Sequence, residues 1–245
     1  MRFLEVEGWG DKGRVVHGFG VRDPVWGKKP NQDWQTQPIM VGEEIFPILS
    51  ARQVHGDGVV VFKGEPQEPE KLWGKEGDAL VTAVSGYALG VFTADCLPII
   101  LFDPVQGVAG IVHAGWRGTA KAICQKALKV MAKNYDSIGK NILAAMGPCI
   151  GPCCYEVDEP VKKVYAEAGL PWELLSKPRG RKKWSLDLAR ANAYLLKVAG
   201  VREENIHRLE LCTSCHGDTF YSYRAEGKTC GRQLSFIAMR KGEGV

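Results

Sequence analysis

The sequence predicts an α+β protein folded as a single domain over residues 1–245. Its strand-like segments come in runs rather than in strict alternation with helices, which favours an α+β fold over a doubly wound sheet. The length of 245 residues suits one large domain. A composition of 45% hydrophobic and 24% charged residues permits a full core and argues against disorder.

The predicted strands are short apolar runs bounded by Gly, Asp or Pro. They cover residues 14–21, 48–54, 58–62, 79–84, 88–94, 97–102, 108–114, 141–147, 206–213 and 233–239. Residues 23–38 and 63–78 show no periodicity and are predicted to be loops. The basic run at 176–184 is also predicted to be a solvated loop, because it contains Pro and Gly and only one aromatic residue.

Three helices are predicted from apolar periodicity and end signals. Within 118–135, apolar residues at positions 120, 123, 124, 127, 128 and 131 mark one face of an amphipathic helix. The segment 159–169 has Pro160 in its first turn and Gly169 just past its end. The segment 185–200 is predicted to start at Ser185 as N-cap and to stop at Gly200.

Charge and hydropathy exclude several classes of partner. The net charge of +4 is too small to argue for nucleic acid, and no apolar stretch approaches the ~20 residues of a membrane helix. The N-terminus lacks the apolar run of a signal peptide, so we expect a cytoplasmic protein whose eight cysteines are mostly reduced. A homo-oligomer is compatible with the sequence.

Three ligand-type residues interrupt or end hydrophobic strands. They are His55 before a Gly-rich turn, Cys96 beside Asp95 at a break in an apolar run, and His113 at a strand end. A polar group at such a position is costly unless it gains a partner. Taken singly, a strand cysteine is usually a small core residue and a strand-end histidine is usually structural. If the three converge, they make a His2Cys metal site.

A second pattern lies near the C-terminus, where Cys212, Cys215 and His216 form a C-x-x-C-H motif. This spacing is typical of covalent haem attachment, and its C-x-x-C part suits zinc or a redox disulfide. The expected cytoplasmic location argues against haem. A structural zinc shared with Cys153 and Cys154 requires two distant segments to meet.

Several longer motifs resemble one known family. The runs are GDALVTAVSGYALGVFTADCLPIILFDP, GVAGIVHAGWRGTAKAI and MGPCIGPCCYEV, with RQVHG upstream and CT, FYSYR and GR downstream. Over about residues 14–240 the chain resembles the YfiH family, also called DUF152 or the laccase domain and commonly described as purine nucleoside phosphorylase. The resemblance implies stacked mixed sheets flanked by helices in αββα layers. It also implies zinc bound by His55, Cys96 and His113.

The resemblance implies two reactions. One is phosphorolysis of adenosine, inosine or 5′-methylthioadenosine to a free base and ribose 1-phosphate, and the other is hydrolytic deamination of adenosine. Three protein ligands leave an open zinc position, which is the catalytic arrangement. The catalytic residues are therefore predicted to be Asp95 as the proton-transfer group, with Cys96 and His113. The predicted substrate contacts are Arg117 before a helix start, for phosphate, together with Arg22, Cys149, Tyr223 and Arg224.

Three other functions remain open from the sequence. A copper-binding polyphenol oxidase fits the laccase-domain description, but five histidines are too few for the clusters of a multicopper enzyme, although copper suits a His2Cys site. A cysteine hydrolase would use Cys96 as nucleophile and His113 as base. A metal-dependent scaffold or division-associated binding protein would have no turnover.

Overall fold

A computed structural model of the protein describes residues 2–9, 13–23, 38–64 and 72–241. Of the two loops predicted at 23–38 and 63–78, residues 24–37 and 65–71 lie outside these ranges. The strands are β1 Phe3–Leu4, β2 Val15–Gly20, β3 Ile39–Val41, β4 Glu44–Phe46, β5 Ile48–Leu49, β6 Val59–Phe62, β7 Ala79–Thr82, β8 Ala88–Thr93, β9 Leu97–Asp103, β10 Val108–Ala114, β11 Leu143–Met146, β12 Glu156–Asp158, β13 Ser176–Gly180, β14 Lys183–Leu186, β15 Ile206–Arg208 and β16 Gln233–Met239. The helices are α1 Trp116–Ala120, α2 Ile123–Tyr135, α3 Glu159–Glu167, α4 Trp172–Leu175, α5 Leu188–Val198 and α6 Tyr223–Glu226.

Two mixed sheets form the centre of the molecule. One has six strands in the order β15-β11-β9-β10-β7-β6, and the other has five in the order β1-β2-β16-β8-β5. Most neighbours are antiparallel, but β6 with β7, β5 with β8 and β11 with β15 are parallel. This architecture confirms the predicted α+β fold of stacked mixed sheets with helices.

The central strands β9 and β10 are buried along their whole length. Alternate side chains point to opposite faces of a strand, and here both faces are covered. Ile99 and Leu101 join a core with helices α2 and α5, whereas Ile100 and Phe102 join a core between the two sheets. Each such burial stabilises the fold by roughly 1.5–3 kcal/mol. These strands therefore show as continuous apolar runs in the sequence, not as an alternating pattern.

The helix predicted over 118–135 is two helices. Ala122 adopts a left-handed conformation with φ 56° between α1 and α2, and a left-handed residue ends the regular α-helical hydrogen-bonding pattern. The apolar stripe is correct for α2, which buries Ile123, Cys124, Ala127, Leu128 and Met131. The predicted helix start in this region therefore belongs to a separate helix of five residues.

Two further predictions at element ends are wrong. Ser185 is not an N-cap but lies in β14, where it pairs with Glu156 and Lys177. The helix starts later because the Asp187 carboxylate accepts a hydrogen bond from the backbone N–H of Arg190 and so caps α5. The strands predicted at 48–54 and 206–213 shorten to β5 and β15.

The basic run at 176–184 is a hairpin of β13 and β14 rather than a loop. Its turn residues Arg181 and Lys182 both have positive φ, as a two-residue hairpin turn requires. The basic side chains are mostly exposed, so the prediction of solvation was right and that of irregular structure was wrong.

None of the helices in the described part of the chain combines the length and the apolar character needed to span a bilayer.

The buried position of His17 leads us to expect that the protein loses stability as the pH falls. It lies buried in β2, where its Nε2 accepts the Val6 N–H at 3.1 Å and its ring packs on Trp9. Burial lowers the pKa of His17 to about 4. Its stabilising effect is therefore complete above the unfolded pKa near 6.5 and is lost as the pH falls towards 4. We expect the free energy of unfolding in urea to be about 2 kcal/mol lower at pH 5 than at pH 7 through this residue.

The control for this prediction is His17→Gln, which keeps an acceptor for the Val6 N–H but does not titrate. Its free energy of unfolding should fall less between pH 7 and pH 5 than that of the unaltered chain. Equal falls in both proteins would contradict the assignment.

Candidate metal centre

One end of the six-stranded sheet gathers the ligand-type residues. Cys96 immediately precedes β9, and His113 is the penultimate residue of the antiparallel β10, where it pairs with Pro98. His55 lies in the turn before β6, which runs parallel to β7. Because β9 begins where the antiparallel β10 ends, these segments meet at the same end of the sheet's strands. Register between neighbouring strands thus brings together residues that are 17 to 58 positions apart in the sequence.

The three side chains, whose convergence the residue pattern left open, lie together in the structure. The ligand atoms of His55, Cys96 and His113 all lie within 4.8 Å of one another. The two imidazole rings are 4.8 Å apart and nearly perpendicular. Gly115 leaves room for this group, since a Cβ there would lie 2.9 Å from the Cys96 Sγ. His113 is buried and His55 is exposed, so the group opens to solvent on one side.

Asp78, which the sequence analysis did not single out, orients two of the three candidate ligands. It is fully buried just before β7, and its carboxylate accepts the Nδ1–H of His113 at 2.7 Å. The same carboxylate accepts the backbone N–H groups of Val54, His55 and Gly56. His113 is therefore held in the tautomer that leaves Nε2 available, and the His55 turn, with φ 57° at His55, is held in place.

Electrostatics favours a thiolate at this site. Burial by itself raises the pKa of Cys96, but His113 and His55 outweigh it and lower the pKa to about 6. Burial lowers the pKa of His113, whereas Cys96 and Asp78 raise it to about 9. Burial raises the pKa of Asp78, but its bonds to His113 and to backbone N–H groups hold it below the usual range. The two pKa shifts run in the direction that favours a negative charge on Cys96 and a positive charge on His113.

The donor set fits a metal ion. One thiolate and two imidazoles suit zinc or copper rather than calcium or magnesium, which prefer oxygen ligands. Three protein ligands leave a further coordination position for water or a substrate. Metal-bound histidines generally donate their second ring N–H to a carboxylate or carbonyl, and Asp78 is that acceptor for His113.

Asp95 lies next to Cys96 and joins this centre to the C-terminal part of the chain. It has φ 84°, one carboxylate oxygen accepts the Thr213 hydroxyl at 2.7 Å, and the other accepts the Arg224 backbone N–H at 2.7 Å. Its own carbonyl accepts the N–H of Ile150. A left-handed aspartate held by three segments is a strained position of the kind found at functional sites.

The predicted substrate residues differ in how free they are. The Arg22 guanidinium donates to the Gly217 and Phe220 carbonyls and pairs with Glu226. Arg224 donates to the carbonyls of Cys154 and Glu156. Both guanidinium groups therefore already hold parts of the fold together.

The other three predicted contacts are arranged differently. Arg117 is exposed and its guanidinium lies over the Trp116 ring, where it makes no hydrogen bond or ion pair with any residue that the structure describes. Tyr223 is 48% exposed at the start of α6. Cys149 is buried beside Cys212, and burial raises the pKa of its thiol.

Tyr155 is a second residue that the sequence analysis did not single out. Burial raises the pKa of its hydroxyl, and the charges of Cys96 and Asp95 act in the same direction. The Arg224 guanidinium lies 5.4 Å from its ring centre. It occurs in the quoted motif MGPCIGPCCYEV, but its spacing from the other residues carries no signal for a shared site.

Comparisons with known proteins identify the family to which this chain is similar. A family model described as multi-copper polyphenol oxidoreductase laccase matches residues 29–240. The chain is 38% identical over 169 residues to the purine nucleoside phosphorylase YlmD of Geobacillus stearothermophilus, a match that covers 67% of this chain and 60% of that protein. It is 32% identical over 207 residues to the adenosine deaminase RL5 of an unknown prokaryotic organism, covering 82% and 79%. The crystal structure of YfiH from Bacillus licheniformis has a TM-score of 0.78 and 27% identity, covering 92% of this chain and 93% of that one.

Proposed function

This chain belongs to the family described as multi-copper polyphenol oxidoreductase laccase, and we propose that it is a zinc-dependent purine nucleoside phosphorylase that also deaminates adenosine. The family match and the YfiH structure confirm the resemblance drawn from the motifs. The names of two relatives, a purine nucleoside phosphorylase and an adenosine deaminase, support the two activities. The observation that carries the proposal is the convergence of His55, Cys96 and His113 beside Asp95, at the solvent-accessible end of the central strands.

In this proposal His55, Cys96 and His113 hold zinc, which polarises a substrate oxygen or lowers the pKa of a water molecule. Asp78 keeps His113 in the ligating tautomer, and Gly115 keeps the space next to Cys96 open. The chain's own residues thus supply a site whose geometry is set before substrate arrives.

Asp95 is the proposed proton-transfer group. Each of its oxygens accepts one hydrogen bond and retains a second lone pair for a proton from water or substrate. In deamination water adds to the purine C6 and ammonia leaves, so a proton must move from oxygen to nitrogen. In phosphorolysis a phosphate oxygen bonds to the ribose C1′ while the glycosidic bond breaks, and the departing base takes up a proton.

Product analysis tests this function. We expect purified protein to convert adenosine to adenine and ribose 1-phosphate when phosphate is present, and to inosine when it is absent. Inosine and 5′-methylthioadenosine are the further substrates to compare. Absence of turnover of all three nucleosides by a folded, zinc-loaded protein would contradict the proposal and favour the scaffold alternative.

Arg117 is the proposed phosphate contact, because its exposed guanidinium has no hydrogen-bond or ion-pair partner among the described residues and its charge acts on Tyr155. We expect Arg117→Ala to raise the KM for phosphate by roughly tenfold or more, as loss of one charge-assisted hydrogen bond predicts. Deamination needs no phosphate, so its rate should change less than about twofold. Steady-state kinetics of both reactions on one preparation would measure this difference.

The matched control is Lys129→Ala, which removes an exposed cation from α2. It should leave both reactions unchanged. An equal loss of both activities in Arg117→Ala would mean that Arg117 positions the nucleoside or the fold rather than phosphate.

A cysteine hydrolase is the second candidate, and one observation favours it. Cys96, His113 and Asp78 are connected in the order nucleophile, base and orienting carboxylate. The two candidates differ in their need for metal. Full activity in metal-free protein would support the hydrolase, whereas loss on chelation and recovery with zinc would support the zinc enzyme.

Copper oxidation of polyphenols is less well supported than either. The described residues bring only two histidines to a shared ligand group, and a multicopper cluster needs many more.

A further inference from the structure

The geometry points to a second metal site, separate from the first: Cys153, Cys154, Cys212 and Cys215 bind one structural zinc ion. Their four Sγ atoms lie within 4.8 Å of one another. The Cys215 Sγ is 3.5 Å from that of Cys153 and 3.4 Å from that of Cys154. This inference does not depend on the proposed enzymatic activity.

These distances match a single tetrahedral ion. Zinc–sulfur bonds of about 2.3 Å place tetrahedral sulfurs about 3.8 Å apart. A cluster in which each thiolate binds a different iron would hold the sulfurs farther apart. All four cysteines are free thiols in this structure, and one metal ion would bind the four together.

The backbone around the four thiols is built for this arrangement. Cys149 and Cys212 form a parallel bridge that aligns the two segments. The Gly151 N–H donates to the Cys212 Sγ at 3.2 Å, a contact that stabilises a thiolate. A Cβ at Gly151 would lie 3.2–3.3 Å from Cys212 and Cys153, so the glycine permits the close approach.

Two arginines donate hydrogen bonds to the loop that carries Cys153 and Cys154. Arg179 donates to the carbonyls of Pro152 and Cys153, and Arg224 donates to that of Cys154. Zinc with four thiolates has a net charge of −2, and these cations offset it. Because four protein ligands leave no open position, the site is structural rather than catalytic.

The position of this four-cysteine site explains what it stabilises. Thr213 follows Cys212 directly and donates to Asp95, and Arg224 binds both Asp95 and Cys154. A metal ion joining the two cysteine segments therefore holds the residues that fix Asp95 beside the first centre. Its loss should loosen this contact rather than remove a reacting group.

Metal analysis of the full chain tests the inference. Protein purified under reducing conditions, without chelator, should contain two zinc ions per chain. Cys215→Ser should contain one, because Cys215 contacts both neighbouring thiols, and His113→Ala should also contain one, while the double variant should contain none. Cys230→Ser, which changes a buried cysteine outside the group, should keep two.

Each outcome separates the two sites. One zinc ion per chain that is retained in Cys215→Ser and lost in His113→Ala would overturn the second site and leave the first. One zinc ion with the opposite behaviour would support the second site and refute the first. Iron in place of zinc, or a disulfide among the four cysteines in the reduced protein, would overturn the zinc assignment.

One further measurement keeps the test decisive if Cys215→Ser folds poorly. X-ray absorption at the zinc edge of His113→Ala should show four sulfurs at about 2.3 Å, and nitrogen in that shell would overturn the inference. Where Cys215→Ser does fold, its melting temperature should fall by roughly 5–10 °C. An unchanged melting temperature with two zinc ions bound would overturn the inference.

Discussion

Replacing His113 by alanine is expected to remove the zinc ion of the His55–Cys96–His113 centre and to lower nucleoside turnover by more than about a hundredfold. His113 is the most buried of the three ligands, and its ring bridges the site and Asp78. Without it, two ligands remain on a turn and a strand start, too few for a closed or a catalytic zinc site. Zinc content and adenosine turnover of the purified variant check both parts of the expectation.

A matched control distinguishes this loss from general damage. His207→Ala changes a half-buried histidine in β15, outside both metal sites, and should retain metal and activity. If His113→Ala keeps the zinc ion of this centre, the ligand assignment is wrong. If it loses zinc and keeps full turnover, neither the metal nor His113 takes part in catalysis, which would exclude both the zinc enzyme and the cysteine hydrolase.

Replacing Asp78 by asparagine is expected to weaken zinc binding at the same centre by about 10- to 100-fold. The carboxylate accepts four hydrogen bonds, three from backbone N–H groups and one from the His113 ring. An amide cannot accept all four, and its N–H2 group would face donors. The buried groups left unpaired should also lower the free energy of unfolding by roughly 1–3 kcal/mol.

Competition with a chromophoric zinc chelator measures this affinity, and circular dichroism checks that the variant is folded. Asp57→Asn provides the control, because Asp57 lies in the same turn as His55 but pairs with Lys121 and Lys126 at the surface. It should change zinc affinity less than about twofold, since exposed ion pairs contribute little. Equal effects of the two substitutions would show that the turn, rather than the link to His113, matters.

Several features of the fold follow from local sequence alone. The strands β9 and β10 are long apolar runs, and the stripe on α2 has helical periodicity, so both are predictable from residue order. The predictions from the sequence fail at the ends of elements, where a competing local interaction sets the residue at which a helix begins or ends. Asp187 outcompetes Ser185 as a cap, and the left-handed Ala122 divides a helix whose apolar pattern continues across the break.

The candidate metal ligands show how much can be inferred from the local sequence. His55, Cys96 and His113 are visible because each places a polar group at the end of an apolar strand, where it needs a partner. Their convergence depends on strand order and register, which no single segment contains. The motif resemblance identified the same three residues, and the structure brings their ligand atoms together.

What the sequence by itself determined is the class of fold, the positions of the buried strands and the candidate ligands at their ends. Only the tertiary structure decided that Asp78 holds His113, that Asp95 is bound by Thr213 and Arg224, and that Cys153 and Cys154 meet Cys212 and Cys215. The physical reason is the sequence distance over which each interaction acts. Hydrophobic periodicity and turn chemistry act within a few residues, whereas these contacts join segments that only sheet pairing and core packing bring together.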